Sequence, residues 1–257
     1  METMNPIIEV CNLSKSFVVG EQTVDVLKDI SLDIENGDFM IIFGPSGSGK
    51  STLLYSILGL EKPTKGNIYF LGEDMYAGKT EDDITNFRRK HIGMIYQQSN
   101  WVQSLSVIEN VALPLRLLGI SKNQRQEGAL KVLRKVGMEA WANYNPAELS
   151  SGQQQKVAVA RALVTDPEVI IADEPTGNLD YESGKNLLHL LGDLRYMGKT
   201  IVMVTHDLEY LQYARNTIKM RDGRIEETYR DEEKCELAKQ VPLKKKLQMG
   251  IKKTYAN

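Results

Sequence analysis

The chain has 257 residues, 42% hydrophobic and 26% charged, with a formal net charge of -2. That is a globular composition, long enough for one large domain or two small ones, and the charge balance argues against a protein built to coat nucleic acid. Cys11 and Cys235 have no metal-ligand spacing; no disulfide framework is needed, so a reducing compartment is expected.

The opening "METMNPIIEV" lacks the basic and long apolar regions of a signal peptide. Ile7–Leu13 and Val24–Ile34 alternate apolar and polar residues, as half-buried strands do. "DFMIIFG" (Asp38–Gly44) is a continuous apolar run ending in a glycine loop, which predicts a buried parallel strand. Lys50–Leu60 reads as a helix, and "GNIYFLG" and "HIGMIYQ" as two further strands. From Ser99 to about Leu163 the pattern is helical, broken at Gly119–Ser121 and Asn143–Pro146. Strand–helix alternation then returns, with "EVIIAD", the helix of Tyr181–Gly198, "TIVMVTHD" and the short "TIKMRDG". From about Asp231 the pattern dissolves into a lysine-rich tail. The expected fold is an α/β core with a mostly helical insertion. No apolar run reaches the ~18 residues needed to span a bilayer, so any membrane role is expected to use another chain's spans.

Chemistry enters at "GPSGSGKST": Gly44, Pro45, Ser46, Gly47, Ser48, Gly49, Lys50, Ser51 and Thr52. The stretch fits G-x-x-x-x-G-K-[ST], with a buried strand before it and a helix after it. Glycines let successive N–H groups converge on an anion, and the helix N-terminus adds about half a positive charge. Lys50 is expected to reach the β- and γ-phosphates and Ser51 to ligate Mg²⁺. "VIIADEP" puts Asp173 and Glu174 at the C-terminal edge of an apolar strand, where open α/β sheets bind ligands. If the chain turns there, one carboxylate can serve Mg²⁺ while the next faces an attacking water. His206 ends the last apolar strand and precedes Asp207, which favours a catalytic over a packing role. His91 and His189 read as ordinary surface or packing residues.

The order of these motifs resembles the ATP-binding subunit of ABC transporters, from about Ile7 to Glu227. "GPSGSGKST" matches the Walker A motif and "VIIADE" the Walker B motif. "IYQQ" is similar to the Q-loop, with Gln97 as the matching glutamine. "LSSGQ" (Leu149–Gln153) is similar to the signature LSGGQ, "GNLD" to the D-loop ending in Asp180, and "VTHD" to the switch region with His206. Phe17 stands where the family stacks an aromatic ring on adenine; a core phenylalanine is the alternative. The resemblance implies a P-loop NTPase core with an antiparallel β subdomain and a helical subdomain inserted at about 99–165, all within residues 1–230, followed by the basic tail 231–257. "ADEPTGNLD" and "ENVALPL" look like the lipoprotein-release and macrolide-export branch (LolD, MacB and FtsE types). Two positions depart: Ser151 replaces the first signature glycine, and Lys156 stands where relatives carry arginine and lacks the guanidinium fork.

The resemblance implies a head-to-tail homodimer. ATP would lie between the phosphate loop of one chain and Ser150, Ser151, Gly152 and Gln153 of the other, with Asp180 at the junction. A capped helix with no ligand is the plainer reading of the signature. Glu174 would activate or orient water, His206 would hold the γ-phosphate, and Ser51, Gln97 and Asp173 would surround Mg²⁺. Expected partners are an integral-membrane permease of the FtsX or MacB type and a periplasmic or extracellular adaptor, with the ATPase at the cytoplasmic face of the membrane and no nucleic acid bound. An ABC ATPase acting on DNA or ribosomes would need long coiled coils, zinc hooks or paired ATPase domains; a P-loop kinase leaves "LSSGQ" unexplained. In the tail, Leu243, Leu247 and Ile251 recur every four residues among lysines. That pattern suits a short helix on anionic lipid or the permease, or else a solvated end.

Overall fold

In the computed structural model, which describes residues 6–230, β1 (Ile8–Val19) and β2 (Gln22–Ile34) form an antiparallel hairpin. The hairpin runs further than the alternating sequence suggests. Its register shifts between Val10 and Ser16, where bulges flip the inside–outside alternation. Asn12 and Asp29, both at positive φ, are joined there by Asn12 Nδ2 donating to Asp29 Oδ1 at 3.0 Å. β1 also pairs with β4 (Lys65–Phe70), which carries the short β5 (Glu73–Asp74), giving the order β2-β1-β4-β5.

The second sheet carries the chemistry. β3 (Phe39–Phe43) leads into α1 (Lys50–Ile57), and β6 (Ile92–Ile95) follows the polar α2 (Glu81–His91). The helical insertion comprises α3 (Val107–Leu117), α4 (Lys122–Lys135) and α5 (Ser151–Leu163). Then come β7 (Val169–Asp173), α6 (Tyr181–Tyr196), β8 (Thr200–Thr205), β9 (Asn216–Arg221) and β10 (Arg224–Arg230). The order is β10-β9-β3-β8-β7-β6, parallel except for the edge pair β9–β10.

Both faces of this sheet are covered, which is why its strands read as unbroken apolar runs. Phe39, Ile41 and Phe43 join a core with the helical insertion and α6. Met40 and Ile42 join a second core with α1 and the antiparallel sheet. α5 lies directly on the sheet at Gly93, where a Cβ would come within 2.3 Å of the Ala162 carbonyl oxygen; only glycine permits that approach. Among the described residues no helix is long and apolar enough to cross a membrane. The basic tail 231–257, with the proposed face of Leu243, Leu247 and Ile251, lies outside the described residues.

Candidate nucleotide site

The turn between β3 and α1 is built by three glycines at positive φ: Gly44 at 151°, Gly47 at 78° and Gly49 at 96°. A Cβ on Gly44 would lie 2.1 Å from the Met220 carbonyl oxygen, and one on Gly49 would lie 2.9 Å from the Val26 carbonyl oxygen. The loop is therefore pressed against β9 behind it and β2 beside it. α1 begins at Gly49 with no capping side chain and no acid in its first turn. Its first N–H groups and positive end are left for an anion. They open into a cleft of about 700 Å³ lined by Val26, the loop from Ser46 to Thr52, Glu174 and His206.

Lys50 is buried, and its Nζ donates to the carbonyl oxygens of Gly44 and Pro45, each at 2.9 Å. Burial pulls its pKa below the usual lysine value, against the opposing pull of the Glu174 and Asp173 carboxylates. The ammonium thus rests on two neutral carbonyl oxygens.

β7 delivers the acidic pair. Asp173 is its last residue and accepts a hydrogen bond from the Tyr55 hydroxyl at 3.4 Å. Burial pushes the Asp173 carboxyl up, with a smaller push from Glu174, while Tyr55 and Lys50 oppose. At Glu174 the chain turns through φ 45°, a conformation rare for a residue with a Cβ, held by its N–H on the Val204 carbonyl at 3.0 Å. That turn sends the Glu174 side chain into the cleft, while Asp173 stays outside the lining against Tyr55. His206, just past β8, places Nδ1 3.0 Å from Glu174 Oε2. Its side chain is 63% exposed against 26% for Glu174, so the imidazole covers the carboxylate from the solvent side.

The other expected residues lie outside the lining. Phe17 is half-buried on β1 opposite Val24, with Lys15 Nζ 4.8 Å above its ring. It is no core phenylalanine. Gln97 lies against the turn before α6: a Cβ on Gly177 would meet its Nε2 at 2.6 Å, and Asn178 donates to its carbonyl at 3.2 Å. In the signature, Ser150 caps α5, accepting from the Gln153 N–H at 3.3 Å, while Gln153 Oε1 accepts from the Ser150 N–H at 2.9 Å. Ser151 is exposed. Gly152 abuts Ser183, whose Oγ would be 3.0 Å from a Cβ there. Asp180 caps α6 through the Ser183 N–H and Oγ, at 2.9 and 2.7 Å. Within one chain, then, the signature and the phosphate loop do not share a cleft.

His91 is stacked on Phe87 and bonded to Glu168 at 3.0 Å, and His189 meets Tyr213 edge-on; both are packing residues. Two site residues escaped the sequence reading. Val26 gave no signal, but Tyr55 lies four residues after Ser51 on α1 and so on the same face. Among the described residues no three His, Cys, Asp or Glu side chains cluster as a metal site. One carboxylate, Asp173, with the Ser51 hydroxyl would fit Mg²⁺, an ion commonly held by one or two carboxylates with substrate phosphates and water.

Residues 27–177, more than half of the chain, match the family described as ABC transporter. An uncharacterized ABC transporter ATP-binding protein of Methanocaldococcus jannaschii is 46% identical over 220 residues, covering 86% of this chain and 98% of that protein. The macrolide export ATP-binding/permease protein MacB of Mannheimia succiniciproducens is 44% identical over 219 residues, covering 85% of this chain but 34% of the larger protein. Among solved structures, a dimeric ATP-binding cassette in a post-hydrolysis state bound to ADP and Pi superposes with a TM-score of 0.80 at 39% identity, covering 87% of this chain and 98% of that one.

Proposed function

The chain belongs to the ABC transporter family of ATP-binding cassettes, and from that premise we propose how its residues divide the work. It is an ATP-hydrolysing, ATP-driven transporter subunit. The phosphate loop, Gly44–Thr52, binds the triphosphate, with Lys50 leaving the Gly44 and Pro45 carbonyls for the phosphates. Glu174 orients the attacking water and takes its proton, and His206 holds the γ-phosphate beside it. Ser51 and Asp173, joined by Gln97 when the cleft closes, are the residues that would hold Mg²⁺. When bound, that ion neutralises charge building on the transferred phosphoryl group. Phe17 stacks on the adenine, a contact worth ~1–3 kcal/mol for a base on an aromatic ring. Ser150, Ser151, Gly152 and Gln153 complete the site of a second copy, with Asp180 at the junction.

The observation that carries this reading is the left-handed turn at Glu174, which sets its carboxylate 3.0 Å from His206 at the mouth of the phosphate loop. Glu174→Gln should still bind ATP, form an ATP-dependent dimer on size exclusion, and turn over at least a hundredfold more slowly. Hydrolysis at the wild-type rate would overturn the assignment.

The partner is an integral-membrane permease of the type fused to the cassette in MacB, or of the FtsX type, with an extracytoplasmic adaptor. The cassette sits peripherally on the cytoplasmic side and powers export, lipoprotein release or mechanical signalling. Support comes from the MacB similarity, in which a cassette like this one is a third of an ATP-binding/permease chain. Pull-down of the native complex from detergent extract tests it; recovery without any membrane protein would count against it.

A further inference from the structure

The segment 96–102 leaves β6 and enters the helical insertion, and Tyr96, Ser99, Asn100 and Trp101 within it are all held by side chains of α5. Trp101 Nε1 donates to Gln154 Oε1 at 3.0 Å, and Gln154 Nε2 donates in turn to the Leu149 carbonyl at 3.0 Å. Arg161, two turns further along α5, lays its guanidinium 4.5 Å above the Trp101 ring. It also donates to the carbonyl oxygens of Ser99 and Asn100. Gln155, buried, donates to the Tyr96 carbonyl at 3.4 Å and accepts from Ser99 Oγ. Beyond the segment, Asn110 accepts from the Val102 N–H at 2.9 Å and donates to the Val102 carbonyl.

The three consecutive glutamines of "GQQQ" thus do three jobs. Gln153 closes the helix cap. Gln155 holds the start of the segment. Gln154 is the hinge pin between two loops, with its amide oxygen on Trp101 and its amide nitrogen on the carbonyl immediately before Ser150. A side-chain amide used at both ends fixes both partners relative to α5. The cation–π contact and the two guanidinium bonds then hold the Trp101 ring in the one orientation that aims its N–H at Gln154.

We propose that Trp101 and Gln154 are positioning residues that lock the Gln97 segment to the signature turn, so that within one chain the two move as a single body. The proposal rests on the reading of Gln97 as a nucleotide-facing residue and of the signature as part of the partner's site. Under it, a chain whose own cleft engages ATP presents its signature to the second copy in a fixed orientation. Neither residue touches nucleotide.

The test uses the full chain on a Glu174→Gln background with Mg-ATP. Trp101→Phe keeps an aromatic ring under Arg161 and removes the indole donor. Gln154→Met keeps the length of the stem and removes both amide bonds. Three quantities are measured: melting temperature, ATP affinity at protein concentrations too low for dimer, and the dimer dissociation constant by sedimentation. Both variants should melt within a few degrees of the parent, the cost of one or two intramolecular hydrogen bonds, and bind ATP within about twofold of it. The dimer should weaken roughly fivefold for Trp101→Phe, because each chain must re-order its loosened segment when the two copies close, and more for Gln154→Met. The double variant should be no weaker than Gln154→Met alone, because their shared bond is already gone. Unchanged dimer affinity, strictly additive effects, or a loss that merely tracks melting temperature would overturn the proposal. Failure of the Glu174→Gln parent itself to dimerise would instead refute the shared-site reading.

Discussion

Gly44 and Gly47 stand in the same loop, both at positive φ, and should respond very differently to a single methyl. At Gly47 a Cβ meets open space, so Gly47→Ala costs only backbone strain, about 1–2 kcal/mol. At Gly44, φ 151° is a region nearly closed to other residues, worth about 1–3 kcal/mol. The new Cβ would also lie 2.1 Å from the Met220 carbonyl oxygen, far inside any real contact. That oxygen belongs to β9, which pairs in parallel with β3 up to Phe43 and Lys219. One residue further on, Met220 is paired with Ile225 of β10, so it cannot yield without disturbing that edge pair. Overpacking of this kind adds about 1–3 kcal/mol, so Gly44→Ala should lose roughly 2–6 kcal/mol in all. Urea unfolding of the ATP-free proteins measures both, and in a domain of this size each kcal/mol is worth about 2–4 °C of melting temperature. ATP titration of the folded fraction should then show Gly44→Ala weakened further, since relief of the clash tilts the loop away from the phosphates. Equal destabilisation by the two alanines would refute the argument that β9 shapes the loop.

Two other perturbations separate binding from chemistry. His206→Ala removes an exposed ring whose partner is Glu174, so ATP affinity should hold within about threefold while turnover falls about 10²–10⁴-fold; parallel loss of both in titration and phosphate-release assays would contradict the assignment. Asp173→Asn should weaken Mg-ATP binding at pH 8. Because burial raises the Asp173 pKa, wild type's advantage over the asparagine variant should shrink as pH falls through that raised value, above the ordinary aspartate value near 4. An advantage that persists undiminished down to pH 4 would show a carboxylate that burial does not perturb.

What the sequence disclosed depended on how many faces each element buries. β3, β7 and β8 are covered on both sides, so their composition alone announced them. α2 buries only Ile84, and its N-terminus closes with Thr80 and Asp83 in a capping box that uses Asp where Glu or Gln is the commoner signal. β10 is largely exposed, with only Ile225 and Tyr229 turned toward the cores. The phosphate loop was legible as a pattern, whereas the reason for its first glycine was not, because Met220 approaches from far along the chain. The acidic pair was legible as a strand ending. Its working geometry needed φ 45° at Glu174, which no local preference forecasts. Whether Phe17 belonged to the core could be decided only by its exposure.

The separation of the phosphate loop from the signature within one chain bears on how the signature should be probed. Gly152 is the tempting target, yet a Cβ there would press on Ser183, which also bonds the Asp180 cap. A substitution at Gly152 would crowd the Asp180–Ser183 cap of α6 in its own chain as well as any partner's site. Ser151 is exposed and is the first residue of α5. A glutamate there favours the helix it begins, because negative charge suits an N-terminus, while it repels a phosphate brought to the same N–H groups by about 1–4 kcal/mol for each pair of charges at 4 Å. Ser151→Glu thus separates folding from recognition. Mix it with Lys50→Ala, both on the Glu174→Gln background. If the signature acts across the dimer, one site joins the damaged phosphate loop to the damaged signature, and the other joins an intact loop to an intact signature. ATP-dependent dimer should return on mixing, through that one site. If both loops served the same chain, every site would still carry a defect. A mixed sample that elutes no earlier than the separate variants would leave the signature as a capped helix without a ligand.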